Sequence, residues 1–172
     1  MNEPVVILCG GRGTRLREHT QTIPKPLVEI GGRPILWHVI RIYAHQGFRR
    51  FILCVGHKGE LIEEFVRGNG LPEGVAIECV QTGEDTPTGG RIARVRDRLE
   101  GERFCATYAD GVADIDLTAL LDFHVSHGPA TMVWGTDDVD GALRMVLRPG
   151  RALLEFRSPS GRLDRSRQTC AP

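Results

Sequence analysis

Short apolar runs alternate with amphipathic stretches along this chain. Val5–Cys9 reads VVILC, an unbroken apolar run of the kind carried by a strand buried on both faces. After a polar segment, Ile35, Leu36, Val39, Ile40 and Tyr43 recur at helical spacing, with Pro34 at the start and Gly47 at the end. FILCV over Phe51–Val55 predicts a second strand, and Glu60–Arg67 a short helix with Leu61, Ile62 and Phe65 inward. VAIECV over Val75–Val80 predicts a third strand. The polar loop QTGEDTPTGG follows over Gln81–Gly90, then a helix over Arg91–Leu99. Phe104–Tyr108 predicts a fourth strand. Asp116–His127 predicts a helix with Asp116 as its N-cap and Gly128 beyond its end. Ala130–Trp134 predicts a fifth strand. Ala142–Leu147 and Ala152–Phe156 predict a hairpin turning at Pro149-Gly150.

Strands that alternate with helices imply βαβ units. The expected fold is α/β: a Rossmann-like three-layer α/β/α arrangement with a mainly parallel sheet. Ligands of such sheets sit at the carboxyl ends of the strands. The loop that begins at Gly10, the Gln81–Gly90 loop and Asp110 all fall at such ends. Trp37 and Tyr43 on the first helix read as core, and the six histidines have no metal-ligand spacing.

Composition narrows the classes. Lys+Arg and Asp+Glu are 22 each among 172 residues, so the chain lacks the basic excess of a nucleic-acid or membrane-surface binder. No apolar run approaches the roughly 18 residues of a membrane span. Met1-Asn2-Glu3-Pro4 does not start a signal peptide, so a cytoplasmic location is expected. The five cysteines (Cys9, Cys54, Cys79, Cys105 and Cys170) form no C-x-x-C pair, and the first four fall in predicted strands. They read as small buried hydrophobes of a reducing compartment.

The candidate chemistry starts at the end of the first strand. Gly10-Gly11-Arg12-Gly13 is half of a dinucleotide fingerprint, but Leu16 stands where its third glycine belongs. It is not a Walker A loop, because Lys25 lies too far from the glycines and no Ser or Thr follows it. What remains is G-x-G-T-R, a spacer, and Pro24-Lys25-Pro26. Glycines let backbone N–H groups approach an anion, Arg15 can grip phosphate oxygens with two donors, and Lys25 supplies a point charge. A lone Arg or Lys would read as a solvated surface charge; the combination at a strand end reads as a phosphate site.

The stretch ILCGGRGTRLREHT, followed by PKPLVEIGGRPILWHVIRIYAHQG, resembles the sugar-phosphate nucleotidyltransferases. TGEDTPTGGRIARV and TYADGVADIDLTALLDFHVSHG resemble their glucose-1-phosphate cytidylyltransferase branch. The resemblance runs from about Val5 to Gly128. It implies a reaction of CTP with a hexose 1-phosphate, such as α-D-glucose 1-phosphate, giving a CDP-sugar and pyrophosphate. It also implies that Leu8, Cys9, Gly10, Gly11, Arg12, Gly13, Thr14 and Arg15 form the nucleotide loop. Lys25 would bind phosphates and, with Arg15, act in catalysis. Thr86 and Arg91 would contact nucleotide or sugar phosphate, and Asp110 would hold Mg²⁺. Ala109 joins the binding set by position, where the family has glycine.

The family continues beyond this chain's end, with a Glu-Lys-Pro element, sugar-binding elements and a second metal aspartate. Arg157-Ser158-Pro159 stands where the Glu-Lys-Pro is expected, and Asp164 is no convincing second aspartate. The expected organisation is therefore a C-terminally truncated nucleotidyltransferase domain over 1–159 and a disordered tail over 160–172. A shortened sheet would leave an apolar edge that invites homo-oligomers. Two other readings stand beside the CTP enzyme: a non-catalytic nucleotide-binding module, and a transferase that uses UTP or dTTP.

Overall fold

Val5, Val6 and Ile7 are completely buried, and so are all five residues of Phe51–Val55. These two apolar runs are the central pair of a four-stranded sheet. The structure, a computed structural model, describes residues 3–11, 22–68, 70–99, 103–127, 131–133, 142–144, 147–148 and 151–152. The chain forms two compact units, Met1–Asp114 and Ile115–Pro172.

In the first unit, β1 (Val5–Leu8) pairs in parallel with β4 (Arg50–Val55) on one side and β6 (Cys105–Tyr108) on the other. β5 (Ala76–Gln81) pairs in parallel with β4, so the order is β5-β4-β1-β6. The chain lays down strands outward from β1 through β4 to β5, then returns to the other side of β1. That reversal places a crevice at the carboxyl end of β1. The outer strands alternate between half-buried and exposed residues, as β6 shows with Cys105 and Thr107 against Ala106 and Tyr108.

Flanking helices make this the α/β layering that the alternation predicts. α1 (Ile35–His45) buries Ile35, Leu36, Val39, Ile40 and Ala44. Gly47, at φ +97°, ends it in the left-handed region that glycine tolerates. α2 (Gly59–Arg67) buries Ile62. On one face of the sheet Val6, Ile52, Cys54 and Val95 form a core cluster with Leu8, Val80, Ile92 and Leu99 around it.

Several elements differ from expectation. The helix expected over Arg91–Leu99 is α3 (Thr88–Arg94), broken at Val95 and followed by a 3₁₀ turn over Arg96–Arg98. Pro87 presets its entry, and the N–H of Arg91 closes the first turn on the Pro87 carbonyl at 3.0 Å. Thr88, Gly89 and Gly90 are therefore helix, although their composition reads as loop. A 3₁₀ turn at Lys25–Leu27 and a tight hairpin of β2 (Glu29–Ile30) and β3 (Arg33–Pro34) were not foreseen. Gly31 and Gly32 turn that hairpin with φ +61° and +75°, the two left-handed positions of a two-residue connection. Trp37 is only half-buried: its Nε1–H donates to the Gly70 carbonyl at 2.6 Å, and Arg33 and Arg41 stand 5.4 and 5.0 Å from its ring centre. Tyr43 is half-buried against Phe48.

In the second unit, α4 (Leu117–His127) is capped as expected. Asp116 Oδ1 accepts from the N–H groups of Thr118 and Ala119 at 3.0 and 2.9 Å. β7 (Thr131–Val133) pairs antiparallel with β8 (Ala142–Arg144), not in the parallel sheet. β9 (Leu147–Arg148) pairs antiparallel with β10 (Arg151–Ala152), and the expected turn at Pro149-Gly150 between them lies outside the described residues. Residues 130, 134, 145–146 and 153–156 of those expected strands, and the expected tail over 160–172, lie outside the described residues.

Cys9, Cys54, Cys79 and Cys105 are free thiols. Cys9 sits one residue past β1 and is buried, as is Cys54; Cys79 and Cys105 are half-buried. Burial pushes the thiols of Cys54, Cys79 and Cys105 up to about 11. Burial also raises Cys9, with the neighbouring Cys54 and Cys79 adding to the effect. Because the folded values lie above the unfolded ones, the thiols contribute full stability below about pH 8.5, where unfolded cysteine stays protonated. A denaturation series should show stability falling as pH rises from there toward 11. A flat profile across that window would contradict the burial of these thiols.

Candidate active site

The carboxyl ends of β1 and β6 and the loop after β5 open onto one cleft of about 380 Å³. Leu8, Cys9, Gly10 and Gly11 line it from the end of β1, and Ala109 and Asp110 from the end of β6. Lys25 and Pro26 enter from the 3₁₀ turn, and Glu84–Thr88 and Arg91 from the loop after β5 and the start of α3. Arg12, Gly13, Thr14 and Arg15 lie outside the described residues. Every other residue singled out from the sequence (Leu8, Cys9, Gly10, Gly11, Lys25, Thr86, Arg91, Ala109 and Asp110) lines this one cleft. Sequence reasoning missed Pro26, Glu84, Asp85, Pro87, Thr88 and Tyr108 as lining residues. The polar loop QTGEDTPTGG marks its own members, but Tyr108 carries no sequence signal apart from its strand.

Lys25 Nζ and Asp110 Oδ2 form an ion pair across the cleft, although 85 residues separate them in sequence. Their side chains keep 33% and 35% of their exposure. A pair this open to water stabilises by less than about 1 kcal/mol. A stronger ligand for either partner can therefore open it cheaply.

Arg91 is the buried cation of the site, only 5% exposed. One terminal nitrogen donates to Thr82 Oγ1 at 2.7 Å and to the Val55 carbonyl at 3.5 Å. The other donates to the carbonyls of Gly10 and Glu84, both at 3.0 Å. Thr82 is itself fully buried, and its hydroxyl donates to the Val55 carbonyl at 2.8 Å. Arg94 adds a hydrogen bond to the Thr82 carbonyl. The guanidinium thus ties the chain segments leaving β1, β4 and β5 to one another. This holds the walls together, and the same residue also lines the cleft.

The same packing explains two glycines. A Cβ on Gly10 would overlap the Arg91 guanidinium. One on Gly56 would lie 2.7 Å from the Gly83 carbonyl oxygen, 2.8 Å from Arg91 Nη1 and 2.9 Å from the Gly10 carbonyl oxygen. Gly10 is glycine here because a guanidinium lies on its face. At the rim, His57 Nδ1 and Glu84 Oε1 are 2.7 Å apart, and the His57 N–H donates to the Gly10 carbonyl at 3.3 Å.

A parallel sheet with a glycine at the end of its first strand, a Lys–Asp pair and a polar loop over one cleft has the layout in which α/β sheets hold ligands at their strand ends. The chain belongs to the nucleotidyl transferase family, whose pattern matches residues 4–142. It is 42% identical to a probable glucose-1-phosphate cytidylyltransferase of Bacillus subtilis, with 86% of this chain and 65% of that protein covered. It is 41% identical to the glucose-1-phosphate cytidylyltransferase of Salmonella typhimurium, with 76% of this chain and 59% of that protein covered. The chain thus spans 65% and 59% of the lengths of these relatives. Among solved structures it resembles HddC from Yersinia pseudotuberculosis complexed with GMP-PN. The TM-score is 0.63 at 29% identity, over 70% of this chain and 53% of that one. A UDP-glucose pyrophosphorylase complexed with UDP-glucose shares the fold, with a TM-score of 0.57 at 19% identity over 64% of this chain and 46% of that one. No helix among the described residues is long and apolar enough to cross a membrane.

Replacing Arg91 with Met should remove the guanidinium's bonds to Thr82 and to the Gly10 and Glu84 carbonyls and cost about 3 kcal/mol of stability. Arg91→Lys, which keeps the charge but cannot reach both sides, should recover only part of that loss. Urea denaturation of the two variants measures both. Equal stability of Arg91→Met and the parent would show that the guanidinium does not hold the walls.

Proposed function

We propose that the chain binds CTP and a hexose 1-phosphate, with α-D-glucose 1-phosphate first among them, and transfers the cytidylyl group to give a CDP-sugar and pyrophosphate. The observation that carries this reading is the meeting of Lys25 and Asp110 in a cleft lined by Gly10 and Gly11. The 41–42% identity to glucose-1-phosphate cytidylyltransferases supports the base and the sugar.

The sugar phosphate oxygen attacks the α-phosphorus in line, the bond from that phosphorus to the bridging oxygen breaks, and pyrophosphate leaves. Both reactants are anionic, so the protein's task is positioning and charge neutralisation, without a covalent nucleophile. Lys25 leaves Asp110 and takes phosphate oxygens. Arg15, on the segment between Gly11 and Lys25, adds a second cation. Thr86 and the Gly10-Gly11 turn hold the nucleotide in the cleft that Arg91 keeps open.

Mg²⁺ fits this donor set. Asp110 offers a hard carboxylate oxygen at the cleft mouth, and the described residues contain no group of three or more metal-ligating side chains. Mg²⁺ binds in this manner through one or two carboxylates, with phosphate oxygens and water completing its shell. When bound, it would neutralise charge on the triphosphate and the leaving pyrophosphate.

Pyrophosphate release from CTP and glucose 1-phosphate tests the reaction. Release supports a transferase, whereas CTP binding without release would make the chain a nucleotide-binding module. Lys25→Ala should weaken CTP binding about tenfold or more, the scale of one hydrogen bond to a charged group. Asp110→Asn should reduce the gain in CTP affinity that Mg²⁺ confers. Calorimetric titration reads both effects, and unchanged affinities would show that the pair does not face the triphosphate.

A further inference from the structure

Rigid backbone carries both members of the ion pair in the cleft. Asp110 follows β6, where the Ala109 N–H donates to the Leu8 carbonyl at 3.3 Å and the Gly111 N–H to the Tyr108 carbonyl at 3.2 Å. Lys25 stands between two buried prolines, Pro24 and Pro26, and the residue before a proline has a restricted backbone. The N–H groups of Leu27 and Val28 close its 3₁₀ turn on the Pro24 and Lys25 carbonyls, at 2.9 and 3.1 Å. What can move is the side chain. Lysine carries a point charge on a flexible four-carbon stem, so its ammonium can leave Asp110 by rotation within that stem.

Lys25 Nζ sits on Asp110 Oδ2, the carboxylate that the proposed function gives to Mg²⁺. A divalent cation that approaches Asp110 with the ammonium in place finds that oxygen taken and meets a like charge. A triphosphate reverses the balance. Its oxygens offer Lys25 a more highly charged partner than one carboxylate, and they complete the shell of an ion held by Asp110. The pair is open to water, so it holds weakly enough to be exchanged.

We infer that Lys25 is a placeholder on Asp110, which keeps a divalent cation off this carboxylate until a triphosphate draws the ammonium away. The inference rests on the proposed function and deepens it. Metal and triphosphate are coupled ligands of the cleft, and each raises the affinity for the other by the same factor. Lys25 is the residue that couples them, because leaving the carboxylate and reaching the phosphates are one movement.

The test measures Mn²⁺ binding without nucleotide, from the electron paramagnetic resonance signal of the free ion. Lys25→Met keeps the stem and removes the charge. It should bind Mn²⁺ about fivefold or more tightly than the parent, the scale of one exposed ion pair. Lys25→Arg keeps the charge and should bind it as weakly as the parent. Glu84 and Asp85 also line the cleft, so Lys25→Met is repeated together with Asp110→Asn, which should remove the gain. Three results would each overturn the inference and leave the proposed function standing: no gain in Lys25→Met, an equal gain in Lys25→Arg, or a gain that survives Asp110→Asn. Failure of the parent to bind CTP in the presence of Mg²⁺ would instead remove the proposed function, and the inference with it.

Discussion

The cleft depends on one buried guanidinium. Arg91 places its donors against Gly10, Val55, Thr82 and Glu84, which belong to the ends of three strands. Backbone carbonyls that turn inward at strand ends must find donors, since an unpaired buried carbonyl costs more than a hydrogen bond contributes. A single arginine satisfies several at once because its fork has five donors in a fixed plane. It requires in return that the nearby backbone approach without side chains, which is why glycine occupies positions 10 and 56.

With the walls held, two further charged contacts stand over the strand ends: the ion pair of Lys25 with Asp110 in the cleft, and His57 with Glu84 beside it. The weak, water-exposed ion pair suits a site whose partners must part. The buried Arg91 network suits a frame that must not.

Much of this was legible in the residues. Unbroken apolar runs identified the central strands β1 and β4, because a strand covered on both faces has no polar positions. Helical spacing located α1 almost to its ends, and Asp116 marked the start of α4. α3 was misjudged at its start. Thr88-Gly89-Gly90 has the composition of a loop, and it is helical because Pro87 sets its entry and Arg91 anchors it from below. The Gly31-Gly32 pair did carry a hairpin signal, overlooked because its flanking strands are only two residues each. Trp37 was assigned to the core from its place on an apolar helix. The stacked Arg33 and Arg41 and the Gly70 carbonyl instead hold it at the surface.

By itself, the sequence determined the alternation of strand and helix and the segments that would meet at the strand ends. Periodicity and turn chemistry are local, and the rule that α/β sheets bind at their carboxyl ends supplies the rest. Only the tertiary structure decided what each charged residue does there. Spacing along the chain does not show that Lys25 meets Asp110, 85 positions further on. It cannot show that Arg91 gives its donors to Thr82 and to the Gly10 and Glu84 carbonyls. It also cannot show that Glu84 stands beside His57, because that pairing depends on which strands became neighbours in the sheet.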